Sequence, residues 1–317
     1  PSKLEYIKEV IFNMRKGIKE AHGQDYDLNY IIWAGGDNSA LLRYLNESLS
    51  GKSGVKMFVL DSAEPSLLKD IIDNMAALEK KRIKKVYDEE ISYDAALASA
   101  LKNSIVIAQE QSKVSSHTAA IIKSGIEPLF SYFRIRSASH IMSISTEGSY
   151  PCDIMDGPLG LNFVLPLYLS GIDINRWVEN TQLSDKEIRT AMKLAAWITA
   201  NVERGRDKIT LFLPAEWKTL GSWMKKISEG SLGKSDNFRL KIVTTEESDD
   251  KIYPRTDENS KDRCFLEISV EGLTNNHSRN IRDLKARGYH AKTVMLKDVA
   301  SLRDGVLAAK LMQIFYH

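Results

Sequence analysis

The sequence predicts an α/β fold in which parallel strands form sheets covered by helices on both faces. Short apolar stretches of strand length alternate with helical stretches along the whole chain, which is the pattern that βαβ units produce. A strand, a Gly-Gly turn and a helix follow one another over residues 28–49, a geometry typical of parallel α/β proteins. With 317 residues, the chain is long enough for two domains of ordinary size.

The first half of the chain is predicted to contain four strands. Apolar positions recur at helical spacing over residues 4–21, and Gly23 then provides a stop signal. Apolar runs predict strands at 28–33, 55–60, 104–108 and 140–145, with helices at 40–49, 66–78, 92–101 and from 119 onward. The basic run from Glu79 to Lys85 is interpreted as a solvated helix end or loop, because short charge runs are usually solvated.

The second half of the chain repeats the alternation after a buried helix. A capping-box pattern at Ser184 and Glu187 begins a long helix that ends near Glu203. A buried strand at 209–213 is followed by an amphipathic helix with Trp217, Leu220, Trp223 and Ile227 at helical spacing. Residues 235–261 are polar and predict a surface loop, followed by strands at 265–270 and 293–296 and by helices at 277–287 and 302–315.

Charge and composition argue against several classes of protein. The 44 basic and 42 acidic residues leave a net charge of +2, which provides no basic field for nucleic acid. The longest apolar run, 159–174, is interrupted by glycine and proline and falls short of the roughly 20 residues of a bilayer span. Cys152 and Cys264 form no CxxC pair and no signal-like start precedes them, so reduced thiols in the cytoplasm are expected. No metal or cofactor is predicted.

Two loops carry residue types that suit an anionic ligand. The turn after the first strand contains Gly35, Gly36 and Ser39, where glycines allow close backbone approach and a helix start offers N–H donors. The loop after the third strand is rich in hydroxyls and includes one lysine: Ser112, Lys113, Ser115, Ser116 and Thr118. A plain strand-to-helix turn and a helix-capping cluster remain the alternatives.

Several ordered motifs resemble the glucose-6-phosphate isomerase family, whose domains are sugar-isomerase (SIS) domains. The stretch from Leu211 to Lys234 resembles the family pattern L…L..W..QL..ES.GK, with matches at Trp223, Ser231, Gly233 and Lys234. Further matches occur at residues 35–41, 162–174 and 262–272. The resemblance is closest to the isomerase half of bifunctional transaldolase/phosphoglucose isomerase, and it covers most of the chain.

The resemblance fails at the residues that carry the family's chemistry. The family's proton-shuttling glutamate falls on Gly230, its helix glutamine on Lys226 and its phosphate-loop lysine on Glu110. The arginine of the GGR[FY]S motif has no counterpart, because no arginine lies between Arg136 and Arg176. The family's terminal helix with its catalytic lysine is not matched either. Weak catalytic candidates are Glu229, Asp156 and His117.

The resemblance implies two consecutive SIS domains, each a flavodoxin-like three-layer sandwich with a parallel sheet. The expected boundaries are 1–160, with a leading helix, and 161–317, with a linking helix. It also implies a protein of glycolysis and gluconeogenesis that binds a sugar phosphate and forms a homodimer, with a transaldolase-like partner as an alternative. The implied phosphate-binding residues are those of the two loops together with Lys234.

Three functions remain open at the level of sequence. The first, which we favour, is a sugar-phosphate binder whose aldose–ketose isomerase activity is lost or weak. The second is an active isomerase with relocated catalytic residues. The third is a structural module whose apolar elements form an interface.

Overall fold

The chain folds into two compact α/β units, Pro1–Asn175 and Arg176–His317. The computed structural model describes residues 3–35, 43, 54–62, 64–110, 122–145, 161–169, 171–214, 217–227, 241–244, 262–270 and 278–296. The predicted helix at 302–315 and most of the predicted loop at 235–261 lie outside these residues. The division between the compact units falls after Asn175, whereas the domain boundary expected from the sequence falls after residue 160.

The described residues of the first unit include four parallel strands. In chain order its elements are α1 (Lys3–His22), β1 (Tyr30–Ala34), β2 (Lys56–Leu60), α2 (Pro65–Tyr87), α3 (Tyr93–Lys102), β3 (Ser104–Glu110), a π-helix (Ile122–Ile126), α4 (Glu127–Tyr132), a short 3₁₀ turn (Ser137–Ser139), β4 (Ile141–Ser145), α5 (Leu161–Leu169) and the start of α6 (Ile174–Thr181). The strands are arranged in the order β2-β1-β3-β4. This is the flavodoxin-like order of a doubly wound sheet, and it confirms the predicted fold class.

The register of the first sheet aligns the strand starts. Tyr30 lies opposite both Lys56 and Ser104, while β4 is displaced so that Ile141 pairs with Val106. On one face, the β1 and β3 side chains pack with α2, α3, the π-helix and α4 in a single apolar cluster that includes Met75, Leu97 and Phe130. The β1 and β3 residues in this cluster are even-numbered, so the odd-numbered ones point to the other face.

Helix α1 covers part of that other face. Ile7, Ile11, Met14 and Ile18 are buried at helical spacing. A groove is lined jointly by α1 residues and by side chains of the odd-numbered face, such as Ile105. The predicted leading helix is therefore an integral layer of the first unit.

Helix α2 is longer than the sequence pattern indicated. It continues through the whole basic run to Tyr87 and ends at Asp88, which adopts a left-handed conformation with φ of 54°. Most of the run is solvated, as interpreted, but Glu79 is fully buried. That part of the interpretation is wrong, because Glu79 faces the core and has polar partners there.

The second unit repeats the same arrangement of strands. Its described elements are the rest of α6, α7 (Asp185–Val202), β5 (Lys208–Phe212), α8 (Lys218–Ile227), β6 (Lys241–Thr244), β7 (Arg263–Val270), α9 (Ser278–Ala286) and β8 (Ala291–Leu296). These strands form a second parallel sheet in the order β6-β5-β7-β8. The order is that of the first sheet with each strand number raised by four.

Strand β6 corrects the prediction of an uninterrupted polar loop at 235–261. Lys241–Thr244 pairs in parallel with β5, with Ile242 opposite Ile209. The strand is short, with four residues, and lies at the edge of the sheet. Its β-branched residues Ile242, Val243 and Thr244 favour a strand, but the run is too short to stand out among the polar residues around it.

Helix caps explain where two of the helices begin. Ser184 and Glu187 form the predicted capping box, in which the serine side chain accepts from the Glu187 N–H and the glutamate accepts from the Ser184 N–H. Ser92 caps α3 by accepting from the Ala95 N–H. Such caps satisfy N–H donors that have no partner within the helix.

Candidate functional site

Each sheet has one position where ligands typically bind. From β1 the chain passes to β2 on one side of the sheet, and it later returns to β3 on the other side. In open parallel sheets, ligands bind outside the carboxyl ends of the strands at such a switch point. The candidate site of the first unit therefore lies beyond the carboxyl ends of β1 and β3, and that of the second unit beyond β5 and β7.

The turn after β1 brings the backbone close to the end of β2. Gly35 has φ of 149°, a conformation that side-chain-bearing residues rarely adopt. Its N–H donates to the carbonyl oxygen of Leu60 at 3.1 Å. Of the residues predicted to bind phosphate, Gly35 is thus placed at the carboxyl edge of the first sheet.

An ion pair lies at the same edge. Nη2 of Arg43 donates to Oδ1 of Asp61 at 2.6 Å, with 41% of the Arg43 side chain and 21% of the Asp61 side chain exposed. Asp61 directly follows β2. Nε of Arg43 is buried and has no hydrogen-bond partner within the described residues. Sequence analysis did not single out this arginine, because a single cation in a predicted helix carries no motif.

The end of β3 places another charged residue at the candidate site. Glu110 is the last residue of β3 and lies opposite Ser145, the last residue of β4. This is the position at which the family resemblance implies a lysine.

Most of the predicted site residues lie outside the described residues. This holds for the binding candidates Gly36, Ser39, Ser112, Lys113, Ser115, Ser116, Thr118 and Lys234, and for the catalytic candidates Glu229, Asp156 and His117. Their roles therefore stay predictions. Gly230 also falls among these residues.

The second sheet buries a carboxylate that sequence analysis passed over. Glu267 in β7 is 2% exposed and accepts a 2.8 Å hydrogen bond at Oε2 from the Thr293 hydroxyl of β8. It pairs with Phe212, the last residue of β5. The signal was present in the sequence, since a single charged residue in an apolar strand is unusual unless it has a buried partner.

A buried polar network surrounds Glu79 at the opposite, amino edge of the first sheet. The carboxylate accepts from the Tyr30 hydroxyl at 2.7 Å, the Ser99 hydroxyl at 2.7 Å and the Arg82 guanidinium at 2.6 Å. Burial raises the pKa of Tyr30, and its hydrogen bond to Glu79 adds to this. Because Tyr30 begins β1, the network lies away from the ligand edge, and its role is structural.

Two histidines also meet at the amino edge. Nε2 of His22 lies 2.7 Å from Nε2 of His140, and Nδ1 of His140 is 2.7 Å from the Ser104 carbonyl oxygen. The carbonyl only accepts, so His140 carries its proton on Nδ1 and His22 donates from Nε2. Burial lowers the pKa of His22 to about 4, with further contributions from His140 and Lys102, and burial also lowers the pKa of His140.

The described part of the chain contains neither a metal-binding cluster nor a membrane-spanning helix. No group of three or more His, Cys, Asp or Glu side chains in that part could hold a metal ion. None of its helices is both long enough and apolar enough to cross a bilayer. Cys264 is a buried free thiol, and burial raises its pKa to about 12, so it is poorly suited to act as a nucleophile.

Comparisons with solved structures identify the class of fold. A hypothetical protein from Thermus thermophilus is similar over 99% of this chain and 83% of its own, with a TM-score of 0.59 and 14% identity. A glucose-6-phosphate isomerase from Chlamydia trachomatis is similar over 97% of this chain and 68% of its own, with a TM-score of 0.55 and 12% identity. A putative sugar binding protein from Salmonella typhimurium is similar over 99% of this chain and 94% of its own, with a TM-score of 0.50 and 11% identity.

The chain therefore has the fold of two consecutive SIS-type units with flavodoxin-like parallel sheets. No protein-family model matches the sequence, and no curated protein matches it. At these identities the likeness concerns the fold, so the specific resemblance to glucose-6-phosphate isomerases stays a prediction.

Proposed function

We propose that this chain binds a sugar phosphate at the carboxyl edge of its first sheet and has lost most or all aldose–ketose isomerase activity. The observation that supports binding is the shared fold, which extends over 97% of the chain in the comparison with a glucose-6-phosphate isomerase. Ligands of doubly wound sheets bind at this edge. Gly35 lies there with φ of 149°, and because it has no side chain a ligand can approach its backbone closely.

The proposed phosphate contacts come from backbone and hydroxyl donors. Gly35, Gly36 and Ser39 supply the turn after β1, and Lys234 is a further predicted phosphate-binding residue. The loop after β3 supplies Ser112, Lys113, Ser115, Ser116 and Thr118. Hydroxyl and N–H groups at a helix start suit the acceptor oxygens of a phosphate.

The proposed loss of activity follows from the catalytic groups that are not matched. Isomerisation through an enediol needs a base near the second carbon of the sugar and a positive group beside the developing oxyanion. Gly230 stands where the family has its base, and no arginine lies between Arg136 and Arg176. Removing a catalytic base or an oxyanion donor typically costs orders of magnitude in rate.

Calorimetry tests binding and a coupled assay tests turnover. Glucose 6-phosphate and fructose 6-phosphate should release heat at millimolar concentration or below, whereas glucose, which lacks the phosphate, should not. The double substitution Ser115→Ala and Ser116→Ala should weaken binding, and Ser139→Ala at the amino edge is the matched control. No heat from either sugar phosphate would overturn the proposed function, and turnover at the level of an efficient isomerase would overturn the proposed loss of activity.

Three further features are proposed on the same resemblance. We propose a homodimer in the cytoplasm, with domains at 1–160 and 161–317, and a transaldolase-like protein as an alternative partner. Light scattering at several protein concentrations measures the oligomeric state, and a monomer at all of them would contradict the dimer.

A further inference from the structure

The ion pair between Arg43 and Asp61 is the charged feature of the ligand edge that the predicted motifs do not explain. The Gly35 N–H bonds to Leu60, and Asp61 is the next residue along the chain. Arg43 contacts Asp61 through Nη2. The guanidinium therefore lies at the same edge of the sheet as the backbone turn that is proposed to accept the ligand.

Within the described residues, the donors of this guanidinium are only partly used. An arginine frequently holds a carboxylate through two parallel N–H···O bonds, but among these residues Arg43 makes one bond, at 2.6 Å from Nη2 to Oδ1 of Asp61. Nε is buried and has no acceptor within the described ranges. A buried donor without a partner is unfavourable, so this arrangement leaves binding capacity for a further acceptor.

Charge favours a phosphate over the carboxylate that now contacts the arginine. A phosphate monoester carries a charge of about −1.5 to −2 at pH 7 and three acceptor oxygens, whereas Asp61 carries one negative charge. Arginine is particularly suited to phosphate because its planar fork matches the oxygens. A sugar phosphate arriving at this edge can therefore displace Asp61 from Arg43, whose side chain is 41% exposed.

We propose that Arg43 recognises the phosphate of the bound sugar phosphate and that Asp61 holds the arginine in place until the ligand arrives. This inference rests on the proposed function and deepens it. Arg43 supplies a partly exposed positive charge at the carboxyl edge of the first sheet. Asp61 is a positioning residue that competes with the ligand for the same guanidinium.

Substitutions on the two sides of the pair should act in opposite directions. Arg43→Met should weaken glucose 6-phosphate binding at least tenfold, because a charge-assisted bond to the phosphate is lost. Asp61→Asn should strengthen binding about threefold, because the competing charge of an exposed pair is removed. If the pair has a purely structural role, either both substitutions should weaken binding or neither should.

The pair formed by Arg15 and Asp27 provides a matched control. Nε of Arg15 lies 3.5 Å from Oδ1 of Asp27, and both side chains are partly exposed, but Asp27 precedes β1 and so lies at the amino edge. Arg15→Met and Asp27→Asn should leave the affinity unchanged. Circular dichroism should show that each variant is folded, and Arg43→Lys, with an intermediate affinity expected, replaces Arg43→Met if the latter does not fold.

The outcomes separate the inference from the proposed function. If the unmodified chain binds no sugar phosphate, both are overturned. If it binds but Arg43→Met binds equally well, or Asp61→Asn weakens binding, the inference alone is overturned. Opposite effects of the two substitutions, with unchanged affinity in the control pair, would support both.

Discussion

Acidification should destabilise the first unit through the contact between His22 and His140. The contact at 2.7 Å requires a lone pair on one imidazole, so the pair cannot persist when both rings are protonated. Tyr26 meets His22 edge-on and Phe130 stacks on His140, while Lys102 adds positive charge nearby. The Ser104 carbonyl oxygen already accepts the Nδ1 proton of His140, so these surroundings do little to stabilise a second positive charge.

The magnitude follows from the two pKa values of His22. The pKa is about 4 in the folded chain against 6.5 for an unperturbed histidine, so the folded state binds fewer protons than the unfolded state between these values. The contribution to stability is therefore fully present above pH 6.5 and is lost as the pH falls toward 4. Linkage, discounted for solvent screening at this partly exposed ring, gives a loss of about 1 kcal/mol between pH 7.5 and 5.5.

Hydrogen exchange resolved by peptide measures this effect within the first unit. After correction for the intrinsic pH dependence of exchange, peptides from α1 and β4 should lose about 1 kcal/mol of protection between pH 7.5 and 5.5. His22→Gln should flatten this dependence, because its amide still donates to His140 but does not titrate. His290→Gln in the second unit is the matched control, since burial and Arg206 also lower the pKa of His290. An unchanged pH dependence in His22→Gln would refute the reasoning.

Three further experiments test individual interactions. Glu79→Leu should cost about 3 kcal/mol in urea unfolding, because it removes the acceptor of a buried network. Tyr30→Phe, which removes one donor from that carboxylate, should cost only about 1 kcal/mol, and equal costs would contradict the network. Cys264, tested in a Cys152→Ser background, should react with a thiol reagent at pH 8 only when the chain unfolds, because burial raises its pKa to about 12; rapid reaction of the native chain would contradict this. Ser184→Ala should lower the free energy of unfolding by about 1 kcal/mol because it removes the α7 cap, whereas Ser184→Asp should retain most of the stability. If Ser184→Ala leaves the free energy of unfolding unchanged, the cap contributes little.

The fold could be predicted because its strands are apolar runs between turn signals. The prediction for β3 began at Ser104, as the strand does, and ended two residues before Glu110. Strand β6 was missed because its run of β-branched residues, 242–244, is short and lies within a polar stretch. Its Ile242 pairs with Ile209 of β5, far away in the chain, and a local pattern carries no information about such a partner.

The buried polar contacts could not be predicted from local sequence patterns either, because their partners are even farther apart in the chain. Tyr30 and Glu79 are separated by 49 residues, and His22 and His140 by 118. Each residue looks ordinary in its own segment, and only the fold brings the partners together. Glu267 is different, because its position inside an apolar strand was visible in the sequence and indicated a buried partner.

The candidate site was predictable to the extent that it depends on strand ends. The Gly-Gly turn correctly indicated the carboxyl edge at Gly35, because parallel strands bring such turns to one side of a sheet. The contact between Arg43 and Asp61 was not predictable, since the two residues belong to two separate connections. The roles of the hydroxyl-rich loop stay predictions that the binding experiments address.

The two sheets have a consequence for how the chain matures. Each sheet draws all four of its strands from one uninterrupted stretch, 30–145 for the first and 208–296 for the second. Every strand of the first sheet has consequently left the ribosome before synthesis of the second sheet is complete, and domains generally fold as units, N-terminal first, during translation. The nascent chain can therefore complete its first sheet before the second half of the chain is synthesised. This shortens the time during which unpaired strand edges can pair with other chains.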